Sequence, residues 1–241
     1  MRKALVVVAM LAIATPALAG LTSETAKLQQ AVSVNLLTGA QTPLTFDKGL
    51  PGDVYNNAPG EPYGNAVGAV TAGRSSATTT ATWGDRVTAT GTGVLEEFTL
   101  SVFNSSTSNT APLASARLDV NLYRGADGTL IGGFFSNITP NLNPGFYTVY
   151  NFTGVSVLGI NIDTTDLIIT QRLSNITGGT LRTGIVCANP VDVGSSDDTQ
   201  FYLDGFVAVA SNGNLLYRVN VPEPASLSLL AVGALVLLRR R

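Results

Sequence analysis

The sequence predicts an all-β protein, an antiparallel jelly-roll-like β-sandwich of about 8–10 strands. Three observations predict it. Apolar and polar residues alternate in run after run, Gly, Asn, Asp and Pro punctuate the runs, and no helical stretch lies between them. Alternation of this kind gives each sheet one dry face and one wet face.

The elements follow in chain order. Residues 20–46 hold the one hint of helical spacing, with Leu28, Ala31, Val32 and Leu36 on one face, although Val32 to Val34 suit a strand equally. The sandwich proper is expected over 47–220. Its opening stretch, Asp47 to Ala81, is rich in Gly, Pro, Asn and Thr. It reads as an irregular loop laid over the sandwich or as a first hairpin with long turns. VLEEFTLSVFN then sets Phe98, Leu100 and Val102 against Thr99 and Ser101. ASARLDVNLYR sets Ala116, Leu118, Val120 and Leu122 against Arg117, Asp119, Asn121 and Tyr123. GADG at 125–128 is a turn, and TLIGGFFSN resumes a strand. FYTVYNF, DLIITQRLS, GIVCA, FYLD and LLYRVN complete the set.

Composition excludes several function classes. Of 14 basic residues, five sit at the ends, which leaves 9 against 15 acidic residues between Gly20 and Val221. Nucleic acid is therefore not an expected partner, because phosphate binding needs a basic face. There is no histidine, which removes His-based acid–base and nucleophilic machinery and imidazole metal sites. The single cysteine, Cys187, permits no intramolecular disulfide and reads as a small buried hydrophobe. No enzymatic activity and no cofactor are expected.

The remaining candidates each have a plain reading. Asp192, Asp197 and Asp198 lie in PVDVGSSDDTQ. Clustered oxygens of this kind suit calcium, but the spacing matches no EF-hand, and a solvated acidic loop is the reading adopted. Asp163 and Asp166 are weaker candidates for the same role. Glu96 and Glu97 adjoin on one strand and point to opposite faces, so a glycosidase pair needs a partner such as Asp119 or Asp204. Thr78, Thr80 and Thr82 alternate on one face and could lie on a sugar or ice surface, yet threonine is simply a good strand residue. Trp83, Tyr55, Tyr63 and Tyr123 could stack on sugar rings, although a tryptophan such as Trp83 is more often a core residue. The sequons at Asn104, Asn137, Asn151 and Asn175 read as strand-end coincidence.

Both ends read as addresses. Arg2 and Lys3 precede an apolar stretch from Ala4 to Ala14, and Ala17-Leu18-Ala19 supplies a small-x-small site. Residues 1–19 are thus a signal peptide, cut by signal peptidase after Ala19. At the other end, residues 221–241 read VPEPASLSLLAVGALVLLRRR. Ala225 to Leu238 is apolar apart from Ser226 and Ser228, and its 14 residues fall short of the roughly 20 of a full membrane span. It suits a short, transient transmembrane helix, with Arg239, Arg240 and Arg241 as stop-transfer charges.

This tail resembles the PEP-CTERM sorting signal of exopolysaccharide-producing Gram-negative bacteria. The resemblance implies that Pro222, Glu223 and Pro224 are read by exosortase, a membrane transpeptidase that removes the helix and passes the protein to the surface or matrix. GDRVTATGTGVLEEFTLSVFN, SARLDVNLYRGADGTLIG and VGSSDDTQFYLDG also resemble secreted PEP-CTERM proteins that carry a β-sandwich; this implies a fold and lends no activity. The expected function is that of an exported surface or extracellular-matrix protein of structural or adhesive type. The alternative is a carbohydrate-binding module, calcium-assisted or not, and behind it a carbohydrate-active enzyme. The expected partners are signal peptidase and exosortase during export, then extracellular polysaccharide.

Overall fold

The computed structural model describes residues 20–44, 51–57, 66–76, 78–106, 110–179, 182–187, 191–196, 200–203, 207–210 and 214–222. In chain order the strands are β1 (Gly20–Asn35), β2 (Gln41–Pro43), β3 (Asp53–Asn56), β4 (Ala66–Ser76), β5 (Thr79–Thr80) and β6 (Trp83–Thr88). Then follow β7 (Gly93–Val94), β8 (Glu97–Asn104), β9 (Leu113–Arg124), β10 (Leu130–Ile138), β11 (Phe146–Thr153) and β12 (Asn161–Ile162). The last are β13 (Asp166–Gly178), β14 (Arg182–Val186), β15 (Ser195–Ser196), β16 (Gln200–Leu203), β17 (Val207–Ala210) and β18 (Tyr217–Asn220). A 3₁₀ turn at Val155–Leu158 is the one helical element among the described residues.

The all-β expectation is met. A nine-stranded sheet runs β11-β1-β4-β14-β8-β18-β3 with β2 and β5 at its side, and a seven-stranded sheet runs β10-β9-β13-β6-β16-β17 with β15 beside β6. Alternation decides how they meet. Phe98 and Phe152 of the larger sheet reach Phe134 of the smaller one, with ring centroids 5.7 and 5.3 Å apart at steep angles, the edge-to-face geometry that aromatic quadrupoles favour. Leu118, Val120, Leu122, Leu167, Ile169 and Leu173 fill the same interior. The GADG turn closes the β9–β10 hairpin through Arg124 N–H to Thr129 O and Gly128 N–H to Arg124 O, each 2.9 Å.

Four expectations need correction. First, of the helix and strand readings of 20–46 the strand holds, and β1 and β2 pair into the larger sheet, so the sheet takes in residues before 47. β1 pairs with two neighbours in turn, with β4 over Gly20–Ala26 and with β11 over Lys27–Asn35. Second, the β1–β11 pair is parallel in an otherwise antiparallel sheet. Third, of the two readings of Asp47 to Ala81 the irregular loop gives way to strands: the stretch supplies β3, β4 and β5, β4 pairs with β5 as an antiparallel hairpin, and β4 lies hydrogen-bonded between β1 and β14. Fourth, the outer face of β8 is dry: Thr99 and Ser101 are fully buried. β11 pairs with both β1 and β8, and β8 also meets β14. The strands β11, β1, β4, β14 and β8 thus close a ring of pairings. On that side Ala26, Phe103, Tyr147, Val149 and Leu216 form a second, smaller apolar cluster.

Among the described residues no helix is long and apolar enough to cross a membrane. The expected signal helix (1–19) and the short helix from Ala225 lie outside the described residues.

Trp83 is fully buried in the main cluster. Trp83→Ala should cost about 3–5 kcal/mol by lost transfer and cavity. Trp83→Phe should cost clearly less, since the indole N–H finds no partner among the described residues. Urea unfolding of the three proteins checks both.

Candidate functional site

Where the last strand hands the chain to the tail, a buried polar network is built around Arg218. β18 lies between β8 and β3, with Tyr217 opposite Leu100, Arg218 opposite Thr99 and Asn56, and Val219 opposite Phe98 and Tyr55. Tyr217 and Val219 point inward to the main core, which sends Arg218 and Asn220 to the outer face. There the Arg218 side chain is only 3% exposed. A guanidinium in such a place must be paired. Its Nε donates to Asp53 Oδ1 at 2.6 Å and its Nη1 to Glu97 Oε2 at 3.2 Å. Asp53 also accepts from the side-chain amides of Asn56 and Asn220, both at 3.0 Å. Glu97 accepts from Asn151 Nδ2 at 3.3 Å, and Asn151 Oδ1 accepts from Thr99 Oγ1 at 2.9 Å. The network fixes register: a one-residue slip of β18 would drive Arg218 into the apolar interior.

The chain then stops being sheet. Asn220 O accepts from Glu96 N–H at 2.9 Å, and Val221 N–H donates to Gly52 O at 2.7 Å. Val221 is 4% exposed. Two glycines make room for it. A Cβ on Gly93 (φ +147°) would lie 2.5 Å from Val221 Cγ1, and one on Gly52 (φ +87°) 2.9 Å from Val221 O. The next residue, Pro222, is exposed. No spacer separates the folded domain from Pro222. Glu223, Pro224, Arg239, Arg240 and Arg241 lie outside the described residues, as do Ala17 and Ala19.

The other sequence candidates are scattered. Glu97 is on the outer face of the larger sheet, whereas Asp119 is on the outer face of the smaller one, bonded to Arg117 at 2.7 Å, Ser174 at 3.1 Å and Arg172 at 3.4 Å. The whole sandwich lies between the two carboxylates. Asp163 is paired with Arg124, and Asp166 accepts a two-pronged bond from Arg86 at 2.6 and 2.8 Å. These hydrogen bonds hold both carboxyls below the usual aspartate range and engage them in ion pairs. Asp192 is exposed and its backbone N–H donates to Asn56 O; Asp197, Asp198 and Asp204 lie outside the described residues. Among the described residues no group of three or more metal-ligating side chains gathers. Thr78, Thr80 and Thr82 do not form a flat array, because Thr80 is buried and its hydroxyl accepts from Leu173 N–H at 3.1 Å. Trp83, Tyr55 and Cys187 are buried, and Tyr63 lies outside the described residues. Asn104 and Asn151 are also buried, with Asn104 Nδ2 donating to Leu142 O at 2.8 Å.

Sequence reasoning missed two buried polar groupings. One is the Arg218 network, whose signal was an arginine inside LLYRVN. The other is Asp85, 1% exposed, which accepts from Arg86 N–H, Leu215 N–H and Ser196 Oγ at 2.8, 3.0 and 3.2 Å. Burial pushes the Tyr55, Tyr150 and Tyr217 hydroxyls well above the ordinary value, and the Asp85 charge adds to it for Tyr55 and Tyr217. Burial alone pushes Tyr147 up to about 12. A raised folded value means that the stability tied to these groups is intact below their unfolded value of about 10 and is lost as pH climbs through the folded values. Alkaline titration should therefore show their phenolate absorbance rising together with loss of near-UV circular dichroism, not before it.

A protein-family model described as the PEP-CTERM protein-sorting motif matches residues 220–241. No curated protein and no solved structure matches the chain.

Proposed function

We propose, from the premise that the chain is an exported PEP-CTERM protein sorted by an exosortase, that its β-sandwich is a structural or adhesive component of the cell surface or extracellular matrix. The jelly-roll-like domain would be the delivered cargo and residues 222–241 the delivery device. The observation that carries this is the junction: Val221 is locked into the sheet and Pro222 stands outside it. Removal of the tail beyond Pro222 would leave every β18 pairing intact. A non-enzymatic role accords with the wide separation of Glu97 and Asp119 and with a chain that lacks histidine. Fractionation of the native host tests the reading. The mature protein should be found in the surface or extracellular fraction, and its presence in the cytoplasm would end the proposal.

A second reading, a carbohydrate-binding module, draws on the outer face of the smaller sheet. Phe135 is 54% exposed there, with the Arg117 guanidinium 3.9 Å from its ring centroid and Asp119 alongside. An exposed ring amid hydrogen-bonding groups suits a sugar. Pull-down on the host's own polysaccharide, with Phe135→Ala as control, decides it: retention of the native protein and loss of the variant support the module.

A further inference from the structure

We propose that the end of the sandwich from which the tail leaves is a membrane-contacting surface, resting on the lipid bilayer while the tail is inserted. The proposal rests on the sorting reading above and adds a surface to it. Among the described residues six large apolar side chains are exposed: Leu37, Val94, Leu130, Phe135, Val157 and Leu158. Five of these, all but Phe135, lie at that one end. Val94 follows Gly93, which packs against Val221. Asn161 pairs with Val94, and Leu95 N–H donates to Ile160 O at 2.9 Å, which brings the 3₁₀ turn carrying Val157 and Leu158 alongside. Leu37 approaches Gly154 at the start of that turn, and Gly132 near Leu130 approaches Ile160. Single exposed apolar residues need no explanation, but their gathering at one end does.

Chain length says what covers them. Val221 is fixed in the fold, and the apolar run starts at Ala225. The four Cα–Cα steps between them extend at most about 14 Å. The headgroup layer takes roughly 5–8 Å of that. The 14-residue run from Ala225 to Leu238 spans about 21 Å as a helix, less than the roughly 30 Å hydrocarbon core, so its ends are drawn inward. The rim is thereby pulled onto the headgroups. Arg124 and Asp163, also at this end, neutralise each other, which lowers the desolvation cost of approach.

The test uses the chain from Gly20 to Arg241, as it stands after the expected signal-peptidase cut, with Cys187→Ala, labelled with an environment-sensitive dye at Val157→Cys or Leu158→Cys and, as control, at Asn137→Cys. The probe membrane is protein-free phosphatidylcholine vesicles. The expected result is co-flotation with vesicles, blue-shifted emission and loss of iodide quenching at 157 and 158, and neither change at 137. A flexible Gly/Ser insert between Val221 and Pro222 should restore quenching while flotation persists. Flotation with rim dyes as quenched as the control would overturn the contact and leave the anchor reading standing. Absence of flotation would overturn both. Protection of the rim dyes without vesicles would also overturn it, assigning the patch to the chain's own tail or to a second copy.

Discussion

Arg218→Ala should destabilise the domain by about 3–5 kcal/mol, the cost of leaving a buried charge without its partner. Asp53 is the reason for so large an effect, since its side chain is 1% exposed and has no access to water in exchange for the lost guanidinium. Glu97, at 29% exposed, is partly hydrated and contributes less. Asp53→Asn should cost less than Arg218→Ala, because an amide oxygen in the place of Oδ1 still accepts from Arg218 and Asn220, and only Asn56, which donates to Oδ2, loses its acceptor. In the double variant Arg218→Ala with Asp53→Asn the loss should be smaller than the sum of the singles, the mark of direct coupling. Urea unfolding of the four proteins measures it. Additive losses would mean that the network is not the unit described above.

Replacement of Pro222, Glu223 and Pro224 by alanine should abolish tail removal while leaving the fold unchanged. The last backbone hydrogen bond of the junction among the described residues is that of Val221 N–H to Gly52 O, and Pro222 is exposed. The thermal midpoint should therefore match the native protein's. In the native host the variant should accumulate in the membrane fraction, still carrying residues to Arg241. Normal release would show that the motif is not what the sorting enzyme reads. An altered midpoint would show that the motif belongs to the fold.

The two predictions divide where the sequence was legible and where it was not. The motif was legible because it is local: three residues, an apolar run and three arginines stand in order. β9 was legible for the same reason, since each Leu118–Leu122 step alternates with Arg117–Asn121 and one face is buried. β4 was hidden because AVGAVTAGRSS lacks a bulky alternating set, and its place comes from backbone pairing on both sides. The dry outer face of β8 was hidden as well. Thr99 and Ser101 look like a wet face until a ring of strands distant in sequence covers them. The Arg218 network joins Asp53, Glu97 and Arg218, of which only the arginine is conspicuous in its own strand. Gly52 and Gly93 received no role because their partner, Val221, is far along the chain.

The most direct measurement is the mass of the C-terminal peptide of the mature protein, isolated from the native host after separation of membrane and extracellular fractions. A peptide that ends near Pro224, from the surface or extracellular fraction, is the predicted result: the sandwich is delivered whole and the apolar run is left behind. A peptide intact to Arg241, confined to the membrane fraction, would contradict it and make the tail a permanent anchor.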